Sequence, residues 1–312
     1  MVSCAIVGCG KIAGNYDQPL SPEVRTHAKA YQEHPDCELI SVCDESMERA
    51  RVFSETWCVD RVFASLEELL EYRVPDLLSI CTPTVTHEEL CMIACRAGVK
   101  FIWLEKPAGV SVKSTERIRD VASSYSATVW VNYFRRYSPG FQTMKRDVAK
   151  IAPLRSVRAI YTKGLRNNGS HMLDLMRFLF GEMNIISVSE ILPDDAYPTL
   201  NCVASIPTLN VDLIGLDYKD YEIFELDIIG ASGRVIMRNG GREIQVFSAS
   251  ESSAYSGYKN LECVAAYPGY SSAFMLDGLS RALRGASMPS LEDDIEVQKL
   301  IEDLSSMANY HF

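Results

Sequence analysis

Two short stretches carry the side chains best suited to chemistry. The first is Phe101-Ile102-Trp103-Leu104-Glu105-Lys106-Pro107. The apolar run over 99–104, interrupted by Lys100, predicts a buried strand that ends abruptly in an acid, a base and a proline. Polar groups at the carboxyl end of a parallel strand sit in the crevice where open α/β sheets bind ligands. Lys106 is thereby a candidate to work beside a cofactor, aimed by a turn that Pro107 stiffens; a solvated strand end is the plainer alternative. The second stretch runs from Lys163 through Asn167, Gly169 and His171 to Asp174. A glycine-broken loop opens a helix with His171 in its first turn, where the helix dipole lowers an imidazole pKa and favours the neutral base. Asp174, one turn on, can orient the ring. Read structurally, the pair is instead a capping group and a stabilising acid.

The N-terminus offers a site for a cofactor beside which such groups could work. A short apolar strand over 2–7 runs into Gly8-Cys9-Gly10-Lys11-Ile12-Ala13. In this GxGxxA pattern the first glycine allows a tight turn and the second lets backbone approach a pyrophosphate. The small third residue lets the following helix pack close to the strand. The next strand, over 38–43, ends in Asp44, placed to accept bonds from ribose hydroxyls. An acid here favours NAD; Arg49 and Arg51 nearby leave NADP open. The long spacing between Gly8 and Asp44 is accounted for by an insertion over 15–22.

The elements that must position these residues alternate. Helices are expected over 25–34, 46–55, 65–72 (capped by Ser65), 88–97 (stopped by Gly98) and 114–123. Strands are expected over 61–63, 76–81 and 127–133. Such alternation predicts a doubly wound, parallel Rossmann domain over 1–130. Beyond it the texture changes: helices over 141–150 and 169–179, successive strands through 185–247, and closing helices over 271–284 and 291–307. Segments 209–216 and 221–229 read as neighbouring antiparallel strands. The second domain, 131–312, is therefore expected to be α+β, with a large open, mainly antiparallel sheet.

Composition narrows the function classes. The chain has 312 residues, 47% hydrophobic and 23% charged, which suits two globular domains. A formal charge of −10 leaves no basic excess for nucleic acid or an anionic membrane. The ten cysteines contain no CxxC pair; Cys91 and Cys95, four apart on a helix, do not make a metal site alone, and none is expected. Without a basic-then-apolar leader or an apolar run near 18 residues, the expected setting is cytoplasmic.

Taken together and in order, these motifs resemble the Gfo/Idh/MocA oxidoreductases, the glucose–fructose oxidoreductase and inositol dehydrogenase group. Val7 to Ala13 is similar to that family's cofactor turn, Val42-Cys43-Asp44 to its ribose acid, and Thr82-Pro83-Thr84-Val85-Thr86-His87 to its TPxxxH turn. Glu105-Lys106-Pro107 matches its EKP signature, and Gly169 to Asp174 its GxHxxD helix start. The resemblance implies that Gly8, Cys9, Gly10, Lys11, Ile12, Asp44, Thr82, Pro83, His87, Glu105 and Lys106 serve the cofactor. It implies Lys106 and His171 as catalytic residues, with Lys106 bonding the reacting oxygen and His171 exchanging the hydroxyl proton. A cationic nicotinamide beside Lys106 favours its neutral form. Substrate contacts fall to Lys163, Asn167 and Asp174. One departure stands out: many members carry an aspartate where this chain has Asn167, which can bond a hydroxyl but cannot act as a base. Asn132, Arg135, Arg136 and Tyr137 follow the last strand of the first domain and read as structural rather than substrate-lining.

The implied activity is hydride transfer between NAD(P) and a ring hydroxyl or keto group of a sugar, sugar phosphate, nucleotide sugar or cyclitol, in a homodimer or homotetramer built on the second domain's sheet. Two alternatives remain: a non-catalytic dinucleotide or sugar sensor, motivated by Asn167, and an aldehyde or imine reductase on the same scaffold.

Overall fold

The computed structural model describes residues 1–192, 198–219 and 221–308. The chain divides into two compact units, Met1–Tyr137 with Ser272–Glu296, and Ser138–Ser271 with Val297–Phe312. The first unit thus takes in a late segment, 272–296, that a single cut near residue 130 leaves with the second. Elements are numbered along the chain.

In the first unit, strands β1 (Val2–Val7), β2 (Cys37–Cys43), β3 (Arg61–Phe63), β4 (Leu77–Ile80), β5 (Phe101–Leu104) and β6 (Thr128–Val131) form one sheet in the order β3-β2-β1-β4-β5-β6. Every pairing is parallel. Alternate residues of β1 explain why helices must cover both faces. Ala5 and Val7 pack with α3 (Leu66–Tyr72), α4 (His87–Ala97) and α5 (Val112–Ser124). Cys4 and Ile6 pack with α1 (His27–Glu33) and α2 (Met47–Trp57). Met275 and Leu279 of α9 (Phe274–Leu283), both fully buried, complete the second core beside Trp103 and Trp130. Each such side chain stabilises the unit by about 1.5–3 kcal/mol. Local chemistry sets the helix ends: the Ser65 hydroxyl accepts from the Glu68 amide at 3.2 Å, and Gly98, at φ +94°, closes α4. Strand order reverses between β1 and β4, so the crevice outside their carboxyl ends is the ligand position of this topology.

The second unit holds an eight-stranded sheet. Its strands are β7 (Leu154–Tyr161), β8 (Asn184–Leu192), β9 (Thr199–Ile206), β10 (Leu209–Gly215), β11 (Phe224–Gly230), β12 (Gly233–Arg238), β13 (Glu243–Glu251) and β14 (Lys259–Tyr267), ordered β14-β13-β12-β11-β7-β10-β9-β8. One face buries Val157, Ala159, Leu213 and Leu226 against α7 (Pro139–Lys150), α8 (Ser170–Phe180) and the later part of α10 (Leu291–Met307). The other presents Arg158 and Asp212 to solvent. The expectation that β10 and β11 are neighbours is corrected here: β7 lies between them, parallel to β10 and antiparallel to β11. Sequence proximity favours hairpins, but β7, from earlier in the chain, fills the gap. No helix among the described residues is long and apolar enough to cross a membrane.

Candidate active site

Gly8 ends β1 at φ +87°, and a Cβ there would stand 2.8 Å from the Thr82 Cγ2 and 2.9 Å from the Cys81 carbonyl. Only glycine fits. At Gly10 a Cβ would meet nothing within 4 Å, which leaves backbone open to a ligand. The turn does not lead into a long helix. A single π-turn over Lys11–Asn15 follows, and α1 begins only at His27 after a loop clasped by Asp17, whose carboxylate accepts from the Arg25 amide at 2.7 Å and the Thr26 hydroxyl at 2.9 Å. This accounts for the long spacing to Asp44. Ala13 is fully buried, and Gly14 is pressed against Phe53 and Trp57, a close approach that the GxGxxA pattern does not reveal.

A cavity of about 720 Å³ opens from this turn, lined by Gly8, Gly10, Asp44, Arg49, Thr82 and Pro83, with Glu45, Glu67 and Glu89 around its wall. Its size suits a cofactor-sized ligand. Asp44 is buried at the end of β2; its carboxylate accepts from the Cys9 amide at 2.8 Å and the Ser46 amide at 2.9 Å, and pairs with Arg49 at 3.2 Å. Five expected cofactor residues therefore meet here: Gly8, Gly10, Asp44, Thr82 and Pro83. Lys11 and Ile12 sit in the adjoining π-turn. Cys9 does not face the cavity; its thiol points inward, 3.8 Å from the Cys43 carbonyl, and burial pushes its pKa up to about 12.

His87 also differs from expectation. Its ring is buried, with Nδ1 3.0 Å from the Pro107 carbonyl and Nε2 2.9 Å from the Thr82 carbonyl. It fastens the Thr82 turn to the Lys106 turn instead of facing a ligand. Burial lowers its pKa, against the carbonyl contacts that raise it.

Glu105 is likewise turned into the protein. Its Oε1 accepts from His27 Nε2 at 3.0 Å and from Asn132 Nδ2 at 2.6 Å. Burial pushes this carboxyl up, but the His27 and Asn132 bonds and the charge of Lys106 outweigh it and hold the group below the usual range. Asn132 and Tyr137 have the structural placement expected of them, with Tyr137 donating to Asn132 Oδ1 at 2.8 Å. Lys106 follows β5, joined to Pro107 by a cis bond. Burial lowers its pKa to about 8; Arg135 adds to the effect, while Glu105 and Asp294 oppose it. Arg136 pairs with Asp293 at 2.7 Å. His27, Ser79 and Asp294 were not singled out from sequence. Ser79 was the available signal, a hydroxyl within Leu77-Leu78-Ser79-Ile80, where every neighbour is buried.

In the second unit, helical structure begins earlier than expected. A π-turn over Gly164–Gly169 runs directly into α8, and Gly169 itself has helical φ/ψ. His171 is thus in the second turn of a helical run, not at a free N-terminus, and a dipole effect confined to the first turn does not act on it as expected. Its side chain is partly exposed and Asp174 is buried. Asn167 is partly exposed, with its backbone carbonyl accepting from the Ser170 hydroxyl at 2.7 Å. Lys163, at φ +65°, pairs with Glu222 at 2.5 Å, and Asn168 donates to the same carboxylate at 3.1 Å. Among the described residues, no group of three or more His, Cys, Asp or Glu is placed to hold a metal ion.

Residues 2–133 match the model of the GFO_IDH_MocA family, described as an oxidoreductase family with an NAD-binding Rossmann fold. Over this stretch the chain is similar to the Gfo/Idh/MocA oxidoreductases. It is 28% identical over 191 residues to the inositol 2-dehydrogenase of Rhizobium meliloti, covering 55% of this chain and 57% of that protein. It is 23% identical over 206 residues to the D-glucoside 3-dehydrogenase of Escherichia coli, covering 59% and 56%. The chain thus spans little more than half the length of these curated relatives. A crystallised 3-ketoreductase from Actinomadura kijaniata in complex with NADP shares the fold, with a TM-score of 0.77 at 18% identity over 98% of this chain and 97% of that one.

Proposed function

We propose that this chain is a Gfo/Idh/MocA-type, NAD-dependent dehydrogenase that transfers hydride between the nicotinamide ring and a hydroxyl or keto group of a sugar, sugar derivative or cyclitol. The observation that carries the reading is Lys106: a partly buried amine whose pKa is lowered to about 8, just past the carboxyl end of β5 in the parallel sheet. The glycine turn and cavity support a dinucleotide: a Cβ at Gly10 would meet nothing within 4 Å, and Asp44 lines the same cavity at the end of β2, as a ribose acid would. Four carboxylates line the cavity against the single cation of Arg49, itself paired to Asp44, which favours NAD over the 2′-phosphate of NADP.

When bound, the nicotinamide accepts the hydride. This chain's own residues must then handle the hydroxyl proton. Lys106 bonds the reacting oxygen and, with a pKa near neutrality, exchanges its proton at modest cost. In the second unit, His171 is the residue proposed to exchange a proton, with Asn167, Asp174 and Lys163 as proposed substrate contacts. The inositol and glucoside dehydrogenases among the relatives support a polyhydroxylated ring as substrate.

We propose a homo-oligomer through the open sheet face and a cytoplasmic setting. The face supports self-association: Asp212 pairs in register with Arg158, Arg158 with Asp227, and Asp227 bonds Arg234 at 2.6 Å. This row of alternating sign is complementary to its own reversal, as a two-fold contact requires. A sensor without turnover is the second reading, motivated by Asn167. Thermal-shift titration with NAD, NADH, NADP and NADPH tests the cofactor assignment. The expected result is a rise in melting temperature with NAD or NADH at lower concentration than with NADP or NADPH; no shift with any dinucleotide would defeat the proposal.

A further inference from the structure

Beneath Lys106 lies a chain of buried polar side chains that no cofactor or substrate role explains. The Tyr31 hydroxyl is 2.5 Å from Ser79 Oγ, Ser79 Oγ is 2.8 Å from His27 Nδ1, and His27 Nε2 is 3.0 Å from Glu105 Oε1. From the other side, Tyr137 donates to Asn132 Oδ1 at 2.8 Å, and Asn132 Nδ2 donates to Glu105 Oε1 at 2.6 Å. The Lys106 amide reaches the second oxygen, Glu105 Oε2, at 3.3 Å. All six side chains are buried.

The donor inventory gives this chain a direction. A carboxylate only accepts, so His27 donates through Nε2–H. Its Nδ1 bonds the Ser79 hydroxyl, which in turn bonds the Tyr31 hydroxyl. Asn132 must turn its amide nitrogen to Glu105, leaving its oxygen for Tyr137. Both branches end on Glu105 Oε1, and the arrangement fails if Glu105 carries a proton there. Burial raises the pKa values of both tyrosines well above the usual value, which keeps them as donors. The Trp103 ring, 4.2 Å from the His27 ring in an edge contact, fixes the imidazole plane.

We propose that His27, with Ser79 and Tyr31 behind it and Asn132 opposite, is a positioning residue that holds Glu105 ionised beside Lys106 and so sets the pH at which Lys106 gives up its proton. The inference rests on the reading of Lys106 as the lysine that handles the substrate proton. Each charge near the pair enters the balance. Lys106 feels Glu105 beside it, Arg135 from α6 (Phe134–Tyr137), and Asp294 from α10, which accepts from Thr115 at 3.0 Å and Tyr133 at 2.7 Å. Glu105 also acts on Cys81 after β4 and on His87 of α4, both driven toward their neutral forms by burial. Burial and Arg135 push the Lys106 proton off, and Glu105 and Asp294 hold it on. Removing the Glu105 charge therefore moves the Lys106 pKa down.

The test reads Lys106 directly. The pH dependence of Lys106 acetylation by acetic anhydride, followed by peptide mass spectrometry on the native protein, gives its pKa without any turnover. The wild type should titrate near 8. Glu105→Gln keeps the size and the acceptor oxygen but not the charge, and should lower the midpoint by roughly one unit or more. Ser79→Ala, which breaks the relay two bonds away at little cost in volume, should shift it in the same direction by less, and serves if Glu105→Gln does not fold. The acid limb of kcat/KM should move with the midpoint. An unchanged midpoint in folded Glu105→Gln, or in Ser79→Ala where only that variant folds, overturns the relay while leaving the dehydrogenase reading intact. A lowered midpoint in a protein that turns over no substrate supports the relay and removes the reading of Lys106 as catalytic.

Discussion

Replacing Lys106 with methionine should stabilise the protein while abolishing its activity. Methionine keeps the length and apolar stem of the side chain and removes the ammonium. The depression of the Lys106 pKa from 10.5 to about 8 measures how much the folded site disfavours the charged amine. At about 1.4 kcal/mol per unit, that is up to about 3 kcal/mol of native-state cost carried at pH 7. The sign with pH follows from proton counting. Between pH 8 and 10.5 the unfolded chain keeps the proton that the folded chain has lost, so wild-type stability rises with pH across that window relative to the variant. The advantage of Lys106→Met should therefore shrink by about 2 kcal/mol between about pH 7 and 9.5. Urea unfolding of both proteins at several pH values across this range gives the comparison from the transition midpoints. A variant no more stable than wild type at pH 7, or an advantage that does not fall with pH, would refute the claim that the amine is held against its charge.

Three further outcomes follow. Gly8→Ala should lower stability by about 1–3 kcal/mol, because alanine at φ +87° meets Thr82 and the Cys81 carbonyl, whereas Gly10→Ala should leave the melting temperature nearly unchanged and weaken dinucleotide binding by filling the cavity wall. Paired thermal denaturation and NAD titration separate the two. Asp44→Ala removes the ribose acid and frees Arg49 from its 3.2 Å pairing, so the ratio of NADP to NAD affinity should rise, read by calorimetric titration of both; an unchanged ratio would remove Asp44 from cofactor selection. His171→Ala should lower kcat by about 10²–10⁴-fold with the fold intact, since the residue is partly exposed. Retained turnover would assign the proton to another group.

What the sequence makes legible here is whatever depends on neighbours along the chain. The strand before Gly8, the acid after β2, the serine cap at Ser65 and the glycine stop at Gly98 each act within one or two turns of themselves. Long-range placement is the part that is not legible. β7 separates β10 from β11 because a strand can be captured by any free edge, and the local pattern of β10 and β11 is the same either way. The late helix α9 joins the first unit because its Met275 and Leu279 fill a core whose vacancy no periodicity announces. The same holds at the site. Glu105 and Lys106 are adjacent in sequence yet face different surroundings, and the partner that decides the matter for Glu105, His27, is 78 positions away. The Lys163 amine meets Glu222 across 59 positions, an ion pair that no local pattern announces.

Hydride transfer at Lys106 is open to a direct test by absorbance at 340 nm, with NAD and a panel of inositols, glycosides, sugar phosphates and nucleotide sugars, run on wild type and Lys106→Met side by side. Wild type should form NADH with at least one class of polyhydroxylated ring, and the variant should not. Wild type saturated with NAD that forms no NADH on any panel member, or a variant that forms it as fast as wild type, would rule out hydride transfer at Lys106.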